Sequence, residues 1–345
     1  MLTKDQVSQI KEHLEKSQNP VFFFDNDQDG LCSFLLLQRW LGRGKGVAIK
    51  SFPALDVNYF RKVDELGADY IFILDKPVVS KEFFEKVRER NIPVVWIDHH
   101  SVDAVIPDFV NYFNPCIGEK HCEPVTVLCY QIVERKQDLW IAAIGAVADG
   151  HLPVFYEQFL KEYPELGGKT ENPFEVLYGS KIGEVAMILG DGLKDTTTNV
   201  VKMLKFLISS KSPYDVLEET PKNFFIHKRT KHIRQKYDRI LEKAKQVAKN
   251  SGKLLFFKYS GDLSVSGEIA NHLKYLYPEK DILVAYLKGS KVNLSLRGKN
   301  VKDSLLKAMD GLEGASGGGH NDAVGGQLNA DDLYGFKKKI EEEIR

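Results

Sequence analysis

The sequence lacks any long apolar run. Nowhere in its 345 residues do about 18 apolar side chains follow one another, the length a membrane-spanning helix needs. It also lacks the uncharged apolar core of a secretory signal, because Lys4, Asp5, Lys11, Glu12, Glu15 and Lys16 are spread through its start. A cytoplasmic location is expected. Net charge is missing too, with 48 Lys plus Arg against 48 Asp plus Glu, so any affinity for a polyanion has to come from local clustering. Cysteine is scarce: the four, at 32, 116, 122 and 129, form no Cys-x-x-Cys pair, and free thiols are expected in a reducing compartment. Cys116, His121, Cys122 and Cys129 have donor types suited to zinc, but their spacing follows no common zinc pattern. Small buried apolar side chains are the preferred reading of the thiols.

What is present is order of a particular kind. Helix 3–16 leads in, and strands over 21–24, 47–52, 70–74 and 94–97 then alternate with helices over 31–41, 57–66 and 80–90. That alternation implies an α/β fold with a doubly wound, mostly parallel sheet. After residue 120 strands largely stop, and 125–210 reads as helices covering the sheet, 139–148 and 182–189 among them. A long helix over 222–249 carries a narrow apolar stripe of Ile233, Tyr237, Ile240, Leu241, Ala244 and Val247. Its other faces hold Lys228, Arg229, Lys231, Arg234, Lys236, Arg239, Lys243, Lys245 and Lys249 against Asp238 and Glu242. Nine cations less two acids leaves an excess of seven, which suits either a solvated linker or a rail for phosphates. A smaller α/β unit follows, with strands over 254–258, 282–286 and 291–296, helices over 266–276 and 302–308, and a last helix over 331–344 after a glycine-rich turn. The expected domains are 1–210, a helical linker 211–250, and 251–345.

Three apolar runs end in aspartate: Asp25, Asp75 and Asp98. Ligands of open parallel sheets bind outside the carboxyl ends of the strands, so these three side chains should converge. Converging carboxylates repel unless cations lie between them, which points to a metal site. The first run continues as Asp25-Asn26-Asp27-Gln28-Asp29-Gly30, like a calcium loop, yet an EF-hand needs glutamate where Leu36 stands. The third continues as Asp98-His99-His100, and mixed carboxylate and imidazole donors favour manganese over magnesium.

Together with Asp149 in Gly145-Ala-Val-Ala-Asp149, these segments resemble the four ordered motifs of the DHH phosphoesterases. Gly317-Gly318-Gly319-His320 resembles the glycine motif of the substrate-binding domain that accompanies them, DHHA1, so the likeness runs nearly the whole chain. The resemblance implies that Asp25 ligates one metal, that Asp27, His99 and Asp149 ligate a second, and that Asp75 bridges the two. It implies two manganese ions, with magnesium as a substitute, activating a water for attack on phosphorus. Asp98 would orient a histidine, His100 would contact phosphate or support the site, and Asp29 would be a ligand or a nearby acid. His151 is expected to be structural.

Members acting on small substrates often carry a histidine four residues before the first aspartate, where this chain has Val21. RecJ-type exonucleases carry the third aspartate, here Asp29, so the resemblance favours a compact, archaeal, RecJ-like enzyme. In the second domain the three glycines would let backbone N–H groups approach a phosphate, with His320 adding a donor and Arg297 a bidentate clamp. The function implied is exonucleolytic cleavage of single-stranded nucleic acid in repair or replication, DNA before RNA, with a lean to 3′ to 5′. Alternatives are a phosphodiesterase for very short nucleotides and an inactive replication scaffold. A helicase or replication partner and homo-oligomerisation are left open, and no membrane partner is expected.

Overall fold

A computed structural model of the chain describes residues 1–51, 54–100, 105–117 and 122–344. The chain divides into two compact units, Met1–Thr230 and Lys231–Arg345. The first is built on strands β1 (Pro20–Asp25), β2 (Lys45–Ile49), β3 (Tyr70–Leu74), β4 (Val94–Ile97) and β5 (Val110–Phe113). All neighbours are parallel, in the order β2-β1-β3-β4-β5.

These strands form because their side chains are apolar at nearly every position, which suits a parallel sheet covered on both faces. Alternation then sorts the residues. Phe22, Phe24, Phe72, Leu74, Val95 and Ile97 enter one core, and Val21, Phe23, Ile71, Ile73, Val94 and Trp96 enter the other. The first core is closed by α1 (Lys4–Lys16), α2 (Gln28–Leu41) and the helical region expected beyond residue 120. There lie α5 (Val125–Val133), α6 (Leu139–Ala148), α7 (Tyr156–Glu162), α8 (Pro173–Gly179), α9 (Lys181–Leu193), α10 (Thr197–Ser209) and α11 (Tyr214–Leu217). The second core is closed by α3 (Phe60–Leu66) and α4 (Lys81–Glu89). The doubly wound sheet is as expected.

Some details differ. Strand β5 was not foreseen, since only Val110 and Phe113 are buried in it and Asn111 and Tyr112 interrupt the apolar pattern. Strand β2 ends at Ile49, and Phe52 of the expected strand lies outside the described residues. The residues 57–59 form a single 3-10 turn before α3. Cys116 and Cys122 form a disulfide with their Cα atoms 5.4 Å apart, which corrects the expectation of free thiols at these two positions. Cys32 and Cys129 are free and buried, and His121 of the zinc alternative lies outside the described residues.

Helix α12 (Phe224–Ala248) contains the boundary between the units. Its stripe is Ile233, Tyr237, Leu241, Ala244 and Ala248, whereas Val247 of the expected stripe is exposed. The second unit has strands β6 (Leu254–Ser260), β7 (Asp281–Lys288), β8 (Lys291–Arg297), β9 (Ser316–His320) and β10 (Ala323–Asn329) in the order β9-β10-β8-β7-β6. Only the β6–β7 pairing is parallel. One face packs on α13 (Ser266–Leu276) and the stripe of α12, the other on α14 (Val301–Met309) and α15 (Leu333–Glu343). The segment expected as a glycine-rich turn is strand β9, paired with β10. Gly317 fits there because a Cβ would come within 2.5 Å of Leu305, and Gly319 because its φ is +134°. Among the described residues no helix is long and apolar enough to cross a membrane.

Candidate metal centre

In the first unit the strand order reverses at β1, with β2 on one side and β3 on the other. A crevice at the carboxyl ends of β1 and β3 follows from that topology. Asp25 ends β1, Asp75 follows β3 and Asp98 follows β4, so the three Asp-terminated runs do end on one edge. Asp75 holds a left-handed conformation with φ 57°, and its N–H donates to the Ile97 carbonyl at 3.0 Å. This strained geometry is of the kind met at functional sites.

The loop after β1 is fixed by its own acids. Asp27 caps α2 by accepting the Gly30 N–H at 2.9 Å, and Asp25 Oδ1 accepts the Asn26 N–H at 2.9 Å. Asp29 is buried, and its two oxygens accept the N–H groups of Val125 at 2.8 Å and Thr126 at 2.7 Å. It therefore anchors the start of α5, which neither of its expected roles described. Helix α6 then crosses α5 closely enough that a Cβ on Gly145 would lie 2.2 Å from Thr126 Oγ1. That close crossing brings Asp149, at the end of α6, into the same group.

Ligand atoms of Asp29, His99 and Asp149 lie within 4.8 Å of one another, as do those of Asp75, Asp98 and His100. His99 Nε2 is 3.3 Å from Asp75 Oδ1 and 4.0 Å from Asp29 Oδ2. His100 Nδ1 is 2.8 Å from Asp98 Oδ1 and 3.9 Å from Asp75 Oδ1. The Asp98 N–H donates to Phe113 O at 3.1 Å, and Asn114 donates to the His100 carbonyl at 2.8 Å, so unforeseen β5 steadies the histidine pair. Among the described residues, the buried Asp75 Oδ1 and Asp98 Oδ2 find no hydrogen-bond partner.

The electrostatics are those of crowded acids. Burial, then the charges of Asp29, Asp27, Asp25 and Asp149, raise the Asp75 carboxyl well above its ordinary range. Asp27 and Asp149 are open to solvent on one side although protein encloses them on the others. Enclosure and then the neighbouring Asp25 and Asp29 push Asp27 up to about 7. Asp149 is raised by enclosure and then by Asp29 and Asp27. Burial lowers the His99 pKa. Burial opposes protonation of His100 as well, but its hydrogen bond to Asp98 and the surrounding acids outweigh it and the pKa rises. His151 lies outside these clusters, donating its backbone N–H to Ala146 O at 2.9 Å, and burial lowers its pKa.

One member was missed in the sequence. Lys76, 1% exposed, donates to Asp25 Oδ1 at 2.9 Å and to the Ser51 carbonyl at 3.0 Å. A lysine directly after a strand-ending aspartate is the signal that could have drawn attention to it.

In the second unit Arg297 ends β8. Its Nε donates to Asn271 Oδ1 and its Nη1 to the carbonyls of Leu296 at 3.0 Å and Val324 at 3.1 Å. Gly317, Gly318, Gly319 and His320 lie on the edge strand β9, with His320 exposed.

The family model of the DHH N-terminal domain matches residues 21–148, and that of the DHHA1 domain matches residues 251–345. RecJ from Thermus thermophilus, solved with Mn2+, is similar at 18% identity and a TM-score of 0.68, over 98% of this chain and 54% of that one. This chain thus spans about half the length of that relative. An exonuclease RecJ bound to manganese is similar at 16% identity and a TM-score of 0.63, over 98% of this chain and 93% of that one. A pGpG-specific phosphodiesterase from Vibrio cholerae reaches 14% identity and a TM-score of 0.50, over 95% and 99% of the two chains. A search of curated proteins gives no match. At such identities the solved structures speak for the fold alone, while the two family models each match part of one unit: the chain carries the N-terminal domain of the DHH family and a DHHA1 domain.

Proposed function

We propose that this protein is a manganese-dependent exonuclease acting on single-stranded nucleic acid, DNA in preference to RNA. Membership of a family of metal-dependent phosphoesterases supports the reaction class. The observation that supports the reading is that His99 lies 3.3 Å from Asp75 and groups with Asp149, while the charges of Asp25, Asp27 and Asp149 all act on Asp75, at the sheet edge where the strand order reverses. The residues fit a divalent cation: among the described residues buried Asp75 Oδ1 and Asp98 Oδ2 find no hydrogen-bond partner, and acids held above their ordinary pKa range are relieved by a nearby cation. Asp27, Asp75, His99 and Asp149 would hold it, the donor mixture favouring manganese with magnesium as substitute. Bound there, the cation lowers the pKa of water and offsets phosphate charge.

The chain's own groups do the rest. Asp98 holds the His100 ring through Nδ1, leaving that imidazole to donate a proton toward a phosphate oxygen. Asp29 fixes α5, and through the α5–α6 crossing it fixes the position of Asp149.

Substrate class rests on charge. Lys228, Lys231, Arg239 and Lys243 are exposed along α12, a spacing suited to successive phosphates, while Lys236 is occupied by Asp262. In the second unit the β9 edge and Arg297 supply further phosphate donors. A role in repair or replication, a 3′ to 5′ direction and a helicase or replication partner complete the proposal. The test is degradation of 5′- and 3′-labelled DNA and RNA strands of graded length with manganese, by wild type and Asp75→Asn. Activity that grows with strand length and vanishes in the variant supports the reading, whereas cleavage confined to dinucleotides makes this a small-nucleotide phosphodiesterase.

A further inference from the structure

Around one divalent ion, ligands about 2.1 Å from the metal lie about 3 Å from each other. His99 Nε2 and Asp75 Oδ1, 3.3 Å apart, have that spacing, and Asp149 groups with His99 and Asp29, their ligand atoms within 4.8 Å of one another. Asp25 is different. Among the described residues it shares with Asp27 the absence from the groups of three donors, but its Oδ1 is engaged at 2.9 Å by the ammonium of Lys76. That ammonium is no stray surface charge. Its side chain is 1% exposed, its Nζ also donates to Ser51 O, and its backbone carbonyl accepts the Trp96 indole N–H at 2.9 Å. A buried ammonium persists where an acid compensates it, and here that acid is one the family resemblance assigns to a different metal from that of Asp27, His99 and Asp149.

We propose that Lys76 stands in for the second cation, so that the centre takes one divalent ion, at Asp27, Asp75, His99 and Asp149, and the lysine supplies the fixed positive charge beside Asp25. This rests on the metal-dependent reading above and changes its metal count from the expected two. A fixed ammonium neutralises Asp25 at any metal concentration.

The test is metal stoichiometry by native mass spectrometry and the manganese electron paramagnetic resonance spectrum. One Mn2+ per wild-type chain, with the spectrum of an isolated ion, is expected, and Lys76→Met should admit a second ion and give an exchange-coupled pair. Asp25→Asn should leave the wild-type count at one. Two ions in the wild type, or a count still at one in a folded Lys76→Met chain, would overturn the proposal. No ion bound by wild type would instead overturn the metal-dependent function itself. Since the wild-type count needs no variant, poor folding of Lys76→Met leaves the proposal decidable.

Discussion

A Cβ atom on Gly30 would lie 2.5 Å from the carbonyl oxygen of Asp25 and 2.7 Å from its amide nitrogen, so the first turn of α2 rests directly on the end of β1. Neither partner can give way cheaply, since both are backbone. Gly30→Ala should therefore cost about 1–3 kcal/mol of stability, as overpacking in a core does. The same shift pulls Asp27 off its position at the start of α2 and weakens manganese binding. Urea unfolding and a manganese titration read the two effects. An alanine variant with the wild-type midpoint would mean that α2 slides back without cost.

Asp29 and Asp149 belong to one cluster but should respond oppositely. Asp29→Ala leaves the buried N–H groups of Val125 and Thr126 without acceptors, at about 1–3 kcal/mol each, and should destabilise the protein with or without metal. Asp149→Asn removes a charge that its surroundings disfavour, so it should raise stability in chelator while abolishing manganese binding. Differential scanning fluorimetry with and without chelator separates them. Equal losses in both variants would count against the division of roles.

The pH dependence of the metal-free protein follows from Asp27. Its carboxyl is raised from 3.8 to about 7 in the folded state, so the native protein holds a proton that the unfolded chain releases. The stability this contributes is complete below pH 3.8 and is lost as pH rises toward about 7. Asp27→Asn can still cap α2 and should flatten that fall. Manganese binding near neutral pH should release protons, detected by calorimetry in buffers of different ionisation enthalpy. A metal-free stability curve identical in wild type and Asp27→Asn would contradict the raised carboxyl.

The sheet was legible in the sequence because its strands are buried on both faces and written as unbroken apolar runs, ending in Asp25, just before Asp75 and just before Asp98. Strand β5 was not, because a peripheral strand with Asn111 and Tyr112 in its middle carries no such run. Glycine composition suggested a turn where β9 is, since the requirement for Gly317 comes from Leu305 and Met309 beneath it, residues remote along the chain. Lys76 and the backbone partners of Asp29 were hidden for the same reason: contacts between residues 25 and 76, or 29 and 125, are tertiary facts. Asp149 was the reverse case, reached through the family motif and explained afterwards by the Gly145 crossing.

Arg297 gives a prediction for the second unit. Its guanidinium is oriented by Asn271 and by the carbonyls of Leu296 and Val324, contacts that depend on the planar fork. If that fork also clamps a phosphate, Arg297→Lys should keep the charge and lose the geometry. KM for a single-stranded substrate should then rise on the order of tenfold, the loss of about 1.4 kcal/mol, with kcat little changed. Arg297→Gln removes the charge as well and should reduce the slope of log affinity against log salt by about one phosphate contact. Thermal melts of both variants guard against unfolding of the β8 edge. Unchanged KM and unchanged salt slope in folded variants would leave Arg297 as a brace between β8 and α13 and move phosphate recognition to the β9 edge.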